Sequence, residues 1–527
     1  MVLDLAKFIS FQTVSSRPEY VRDCHRGASF LRGLFKRYGA KTELMSTGHE
    51  KNPIVYARFS NSKSSKKRKR LLFYGHYDVV SADQGWTSDP FVLRKEGGYL
   101  YGRGTSDNKG PILAALYAVA DIMKADRLDI DIVFLVEGEE ESGSRGFEST
   151  IREKKDLVGK VDWIILANSY WLTDDIPCLT YGLRGVIRAT ISVKNEGPDL
   201  HSGVDGSRLL NQPMKDLISL LADLTGDDGH VKIPEFYDTV PPITTAEMER
   251  LRSIVRCLLY KNPELGLADD LISSFKAKWC EPSLTIHRVH ASGSASSSVI
   301  PHLAQGDISI RLVPNQTTKS AISSLRQHVA HCFSQLGSSN GLSIKIEHQA
   351  EPWLGDPTNY IFTVLQSAVS AVWESQFRRQ ESERQPKIEE HDLKPKHRSK
   401  RGKAWEDQPK SSSLTSAVLS GTTSPTLLPE KEGVKLSTTS GSNRKRDDPI
   451  SEMKYSGPLF IREGGSIPAI RFLEQEFDAP AAHLPCGQAS DNGHLVNERL
   501  RVMNLYNSRE IFKKVFIRLG NQSQPKK

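Results

Sequence analysis

An α/β fold, a mostly parallel sheet with helices on both faces plus a separate α+β domain, is what this sequence predicts. Three observations carry the prediction. The first third of the chain alternates short apolar runs with helical patterns, as strand–helix–strand units do. The middle switches to period-two alternation, which marks half-exposed strands. Four separated segments place ligating side chains just past an apolar run or at a helix start. They are Gly75-His76-Tyr77-Asp78, Ser106-Asp107-Asn108-Lys109-Gly110, Glu139-Glu140-Glu141-Ser142-Gly143 and Asp491-Asn492-Gly493-His494. In a parallel sheet, such strand ends meet in one crevice.

The elements follow in order. Residues 4–9 and 21–38 carry apolar side chains at three- and four-residue spacing and read as helices. Residues 54–59 and 71–74 read as strands. Residues 111–124 form a helix, with Pro111 near its start and Ala, Leu and Val on one face. The runs at 130–136 and 163–167 are short and apolar, as buried strands are. These give the first segment of one domain, residues 1–182. Residues 185–194, 283–289 and 306–313 read as strands, and 209–224 and 319–336 as helices. Two helices against an open mixed sheet make a second domain, 183–350. The chain then returns to the first domain over 351–376 and 456–527. Between them, 377–455 is rich in Lys, Arg, Glu, Ser, Thr and Pro and reads as a disordered insertion, too polar to offset its ordering entropy.

A length of 527 residues is too great for one core. The formal charge is +8, concentrated at residues 63–70, 397–403 and 443–446. No aromatic residues are interleaved there for stacking, so the clusters read as solvated loops, and no nucleic-acid partner is expected. Six scattered cysteines argue against a disulfide framework and a thiolate zinc site, and fit a reducing compartment. No apolar run approaches the roughly 20 residues needed to span a bilayer, and no signal peptide is evident. A soluble cytoplasmic protein without a membrane partner is the expectation.

Each motif has a bland alternative. His76 and Asp78 could be a surface pair in a loop; as a site, the imidazole binds a metal while Asp78 fixes its other ring nitrogen. Asp107 could merely cap a helix, or it could bridge two cations with its two oxygens. Glu139, Glu140 and Glu141 could be an acidic loop, but the run starts where an apolar strand ends, and one Glu could bind metal while its neighbour takes a proton from water. Asn168 stands at the end of another strand, and a late His such as His494 is often structural. Together these residues describe a two-cation site of His and carboxylate ligands, which suits zinc, or manganese, better than magnesium or calcium.

In this order the motifs resemble the di-zinc family of carnosine dipeptidases, aminoacylases and glutamate carboxypeptidases, over nearly the whole chain except the insertion. The resemblance implies a zinc-exopeptidase-like fold with an inserted dimerisation or lid domain, two metal ions and a small peptide substrate. It implies Asp107 as the bridging ligand, His76 on the first metal, Glu141 and His494 on the second, Glu140 as general base and Asp78 orienting His76. Asp-Leu-His201-Ser-Gly resembles the segment whose histidine reaches a neighbouring subunit's site, so a homodimer through the lid domain is implied. Arg311, in Ile-Ser-Ile-Arg-Leu-Val-Pro, resembles the arginine that contacts a substrate carboxylate. Arg462, Gly465 and Ser466, in Arg-Glu-Gly-Gly-Ser-Ile-Pro, resemble a substrate-facing loop.

Asn168 departs from the pattern, which has Asp as a metal ligand there; a neutral amide oxygen is the poorer ligand for zinc. Ala-Asn168-Ser-Tyr-Trp-Leu-Thr also resembles a fungal subgroup, the metallopeptidase-like subunit of a glutathione-degrading complex. That subgroup implies glutathione catabolism and a glutamine-amidotransferase-like partner subunit. It often carries an N-terminal β-propeller, which these residues do not include. Two functions are therefore expected: an active metallopeptidase-type hydrolase, or a weakly metal-binding scaffold subunit of such a complex.

Overall fold

The computed structural model describes residues 1–49, 51–61, 68–293, 296–384 and 457–521, with side chains described only to 374 within the helix Tyr360–Arg384. Helices α1 (Val2–Ile9) and α2 (Val21–Arg37) lead into strands β1 (Lys41–Met45), β2 (Ile54–Phe59) and β3 (Arg70–His76). Then come β4 (Arg94–Glu96), β5 (Tyr99–Tyr101), α3 (Gly110–Lys124), β6 (Asp131–Glu137), α4 (Phe147–Glu153), α5 (Lys155–Val158), β7 (Trp163–Leu166) and β8 (Cys178–Leu183). The middle comprises β9 (Gly185–Lys194), β10 (Leu200–His201), α6 (Pro213–Ala222), α7 (Thr245–Lys261), α8 (Ala268–Cys280), β11 (Ser283–Ala291), β12 (Val299–Ile300), β13 (Leu303–Leu312), α9 (Thr318–Gln335) and β14 (Gly341–Ala350). The chain returns through β15 (Trp353–Leu354) and α10 (Tyr360–Arg384). It closes with β16 (Leu459–Glu463), α11 (Pro468–Phe477), β17 (Ala481–His483), β18 (Arg499–Arg501) and α12 (Val502–Gly520).

The main sheet runs β1-β2-β6-β3-β7-β17-β8-β15, with β16 beside β8. Its centre, β6-β3-β7-β17, is parallel; β1-β2, β2-β6, β17-β8 and β8-β15 pair antiparallel, and β16 pairs parallel with β8. This is the predicted α/β class, and the buried, nearly continuous apolar strands explain it. Neighbouring residues on β3 show that both faces are covered. Phe73 packs on Phe134 and on Phe512 of α12, with ring centroids 4.8 and 5.6 Å away. Tyr74 points the other way, onto Phe147 of α4 at 5.5 Å, which in turn meets Phe472 of α11.

The second sheet, β11-β13-β9-β14, is antiparallel throughout rather than mixed. Period-two patterning fixes which face a residue occupies but not strand direction. Helices α6 and α9 bury Leu217, Leu220, Leu221, Leu325 and Val329 against Ile187, Ile191, Ile308 and Ile310. The first of these helices begins at Pro213, whose fixed φ suits a first helical position, not at residue 209. Helices α7 and α8 were not expected from the sequence. Thr244 and Glu247 form a reciprocal capping box at the start of α7, a signal visible in the sequence.

The chain divides into two compact units, Met1–Val372 with Gly457–Lys527, and Trp373–Ser456. Helix α10 continues to Arg384, past the expected start of the insertion at residue 377. Straight-chain Arg, Gln and Glu lose little freedom in a helix. The remainder of the insertion, 385–455, and the basic clusters at 397–403 and 443–446 lie outside the described residues. Of the first basic cluster, Lys69 pairs with Asp162 at 3.0 Å and Arg70 with Asp131 at 3.4 Å, so its end serves the sheet edge. The six cysteines form no disulfide. No helix among the described residues is long and apolar enough to cross a membrane.

Candidate metal centre

Three parallel strands end side by side. β3 stops at His76, whose register partner on β6 is Glu137, and β7 stops two residues before Asn168. Beyond β6, Gly138 lets the chain cross the buried Tyr77; a Cβ there would land on that ring. The chain then turns through Glu140–Ser142. The turn before α3 delivers Asp107, and the loop before β18 delivers His494.

These side chains meet. His76 Nε2 lies 2.9 Å from Asp107 Oδ1. Asp107 Oδ2 lies 3.2 Å from His494 Nε2, which lies 3.1 Å from Glu141 Oε1. Asp107 thus stands between the two imidazoles, one oxygen toward each. Asp78 works beneath them. Its backbone oxygen is 3.1 Å from His76 Nδ1, and its carboxylate accepts from Ser15 Oγ at 2.7 Å, Glu140 N at 3.2 Å and Glu141 N at 3.0 Å. One buried acid therefore fixes both the His76 ring and the turn that carries Glu140 and Glu141.

The electrostatics follow from packing acids together out of water. Burial pushes the Glu140 carboxyl well above the usual range, against the pull of His76, and Glu141, Asp107 and Asp78 add to the push. Burial also raises Glu141, which the hydrogen bond from His494 opposes. Burial disfavours an ionised Asp107, but hydrogen bonds from His494 and His76 hold it well below its ordinary value. The Asp107 and Glu141 hydrogen bonds push His494 up to about 11. The acids therefore retain positive charge on their histidines. Two sets of three donor atoms lie within 4.8 Å of one another, His76-Glu140-Glu141 and Asp107-Glu141-His494. Imidazole nitrogens and carboxylate oxygens crowded in this way fit divalent cations.

Asn168 reaches the same place by a different contact. Its Nδ2 lies 3.3 Å from His76 Nε2, while its Oδ1 accepts from Ser169 N at 2.5 Å. Its amide nitrogen, not its oxygen, faces the imidazole. Arg311 and Ser466 come together, with Nη1 donating to Oγ at 3.3 Å. A Cβ on Gly465 would meet nothing within 4 Å, so this part of the loop is open. Arg462 is buried and paired with Glu247 of α7, and it lies over the Tyr181 ring at 5.4 Å. His201 is exposed on β10, opposite Val299 of β12; its backbone N donates to Asp205 Oδ2 at 2.9 Å and its Nδ1 accepts from Gly203 N at 3.2 Å.

Supporting residues escaped the sequence reading. Glu498 is buried and accepts from Gly104 N at 2.7 Å, Ser106 N at 3.0 Å, Ser106 Oγ at 2.9 Å, Asp107 N at 3.0 Å and Arg103 Nη1 at 2.9 Å. It moulds the Asp107 turn from the far end of the chain. Its nearness to His494 in sequence was the available signal. Tyr170 lies 3.3 Å from Ser106 Oγ and fills the space that a Cβ on Gly493 would need. His483 Nε2 donates to the Asn168 carbonyl at 2.7 Å.

The profile of peptidase family M20/M25/M40 matches residues 72–391. The chain belongs to this peptidase family. Among M20/M25/M40 relatives, it is 36% identical to the probable di- and tripeptidase DUG2 of Saccharomyces cerevisiae over 98% of this chain and 50% of that protein. It thus spans about half the length of that relative. It is 31% identical to the Cys-Gly metallodipeptidase DUG1 of Candida albicans over 86% of this chain and 79% of that one. The fold matches that of human carnosine dipeptidase 1, with a TM-score of 0.71, 24% identity and coverage of 99% and 97% of the two chains. The Saccharomyces cerevisiae dipeptidase Dug1p gives a TM-score of 0.73 at 24% identity, over 99% and 96%. At that identity these two likenesses concern the M20 fold alone.

Proposed function

We propose that this chain hydrolyses a peptide or amide bond of small peptides at a two-cation centre, in glutathione breakdown. The observation that carries the reading is the convergence of His76, Asp107, Glu141 and His494 from four separate segments, with Glu140 alongside. Membership of a peptidase family supports the chemistry. The names given to the relatives, a di- and tripeptidase and a Cys-Gly metallodipeptidase, support Cys-Gly or a related short peptide as substrate.

His76, Asn168 and Asp107 would hold one ion, and Asp107, Glu141 and His494 the other. When bound, two zinc or manganese ions supply Lewis acidity toward a carbonyl oxygen and toward water. Glu140, kept basic by burial and its acidic neighbours, takes the proton of the attacking water and returns it to the departing amine. Asp78 holds both Glu140 and the His76 ring in position. Arg311, with Ser466 against its guanidinium and Gly465 leaving room, clamps the substrate's terminal carboxylate. Arg462 braces the same loop through Glu247. The working division is a catalytic domain of 1–182, 351–376 and 456–527 and a lid of 183–350. The lid forms a homodimer and offers His201 of a second copy to the oxyanion. A glutamine-amidotransferase-like subunit is the further partner, and the cytoplasm is the compartment.

The test is turnover of Cys-Gly, glutathione and N-acyl amino acids by the metal-loaded full chain, alone and with any co-purifying subunit. Cys-Gly hydrolysis is expected, with kcat reduced about 10²–10⁴-fold in Glu140→Gln at unchanged metal content. A chain that holds two ions yet cleaves none of these substrates in either state ends the reading.

Asn168 favours a second reading, a scaffold with a weakened metal position, because its amide nitrogen faces His76. Asn168→Asp is expected to tighten metal binding by restoring a charged oxygen. Unchanged affinity in a calorimetric titration removes Asn168 from the ligand set. A wild-type chain holding at most one ion, with complex activity indifferent to Glu140→Gln, establishes the scaffold.

A further inference from the structure

A second cluster of metal-binding groups lies in the α6–α9 layer, in the part of the chain that carries the antiparallel sheet. His328 and Cys332 are four residues apart on α9 and share one helix face. Asp223 caps the C-terminus of α6 opposite them. One carboxylate oxygen of Asp223, Oδ2, lies 2.9 Å from Cys332 Sγ and 3.3 Å from His328 Nε2. Cys332 Sγ is 3.7 Å from His328 Nε2, which also lies 3.3 Å from the Asp223 backbone oxygen. The three ligand atoms all fall within 4.8 Å of one another. The other carboxylate oxygen, Oδ1, faces Lys232 Nζ at 3.8 Å, which leaves Oδ2 for the cluster.

We propose that Asp223, His328 and Cys332 form a separate site for a zinc-class divalent cation, completed by water, that clamps the end of α6 to α9. The ligand set is what zinc selects: one thiolate, one imidazole and one carboxylate, with an open position toward solvent. Asp223 and Cys332 are partly exposed, so an entry path exists. Helices α6 and α9 already pack through Leu217, Leu221, Leu325 and Val329, so the ligands are held by a formed core rather than by a loop. On binding, the Cys332 S–H bond breaks, the sulfur pair forms the bond to the cation, and the proton leaves to solvent.

The site differs from the main centre in one measurable respect, because the main centre contains no sulfur ligand. The full chain is stripped with chelator and reloaded with cobalt(II) as the zinc-class probe. A sulfur-to-cobalt charge-transfer band in the near ultraviolet is expected in the wild type. It should be lost in Cys332→Ser and weakened in His328→Gln, and zinc loading should fall by one equivalent per chain in Cys332→Ser. Circular dichroism checks that the variant folds; if it does not, Cys332→Ala is read in the same way. A wild type without the band, a band that persists in Cys332→Ser, or equal zinc stoichiometry in both chains overturns the proposal.

Discussion

Glu498 acts at a distance from the chemistry yet decides where Asp107 stands. It gathers donors from Arg103, Gly104, Ser106 and Asp107, and its ion pair with Arg103 is dry, the two side chains being 1% and 2% exposed. Removing one partner of a buried pair leaves the other charge without compensation. Glu498→Gln keeps the shape and removes the charge, so it is expected to destabilise the metal-free chain by about 3–5 kcal/mol. It should also weaken metal binding by about 10–100-fold, because a ligand's supporting hydrogen bonds fix its aim. Urea unfolding and calorimetric titration measure the two effects separately; no change in either means that the Asp107 turn holds its form without Glu498. Its nearness to His494 marks it in the sequence, but no spacing rule links it to the residues it binds. Its partners lie nearly 400 positions earlier, and only the folded chain brings them together. The same holds for His483, which fixes the Asn168 backbone from β17. His76, Asp107, Glu140 and His494 stood out in the sequence because each sits in a short polar motif beside an apolar run or a helix start.

Strand β6 carries a titratable load of its own at the element scale. Glu137, its last residue, is buried, accepts from Tyr74 OH at 2.6 Å and Ser144 Oγ at 3.0 Å, and leaves its Oε2 without a hydrogen-bond partner. Burial pushes its carboxyl up to about 8, and Asp78 adds to the rise that Tyr74 opposes. The sign follows from proton counts. Between about 4.5 and about 8 the folded chain keeps the Glu137 proton and the unfolded chain has released it. Stability from this group is complete below that window and is lost as pH rises through it, at up to about 1.4 kcal/mol per pH unit. Unfolding of the chelator-treated chain across pH 5–8 (about three units) should therefore be less pH-dependent in Glu137→Gln than in the wild type. Identical slopes remove Glu137 as a source. Element patterning also shows what the sequence discloses. The runs at 71–74, 130–136 and 163–167 betrayed buried parallel strands, because only strands covered on both faces lack alternation. The antiparallel direction of β9, β11, β13 and β14 stayed hidden, since alternation is the same either way. Helices α7 and α8 stayed hidden because each buries only a narrow stripe, Leu251, Ile254, Val255 and Leu258 on one and Leu271, Phe275 and Trp279 on the other.

At the scale of the whole molecule, the proposed chemistry draws on two copies of the chain. His201 is exposed on β10, with its ring nitrogen Nδ1 accepting only the local Gly203 N, and the proposed oxyanion role assigns it to the site of a second copy. Strand β11 offers the means of association. Among the described residues it lies at the edge of the antiparallel sheet and pairs with β13 alone, and it exposes 41% of Ile286 and 46% of Val289. An unpaired edge carrying apolar side chains is a template for another strand. Lysine on such an edge blocks pairing by keeping its charge in water. The double change Ile286→Lys with Val289→Lys is therefore expected to convert a dimer into a monomer by light scattering while leaving the circular dichroism unchanged. Turnover should fall with it by about 10²–10³-fold, the loss that follows removal of one oxyanion donor. His201→Ala in the intact dimer should lose a similar factor, and adding it to the monomeric variant should cost nothing more, because the same contact is already gone. A monomer that retains full turnover would place the whole site in one chain and leave His201 outside it.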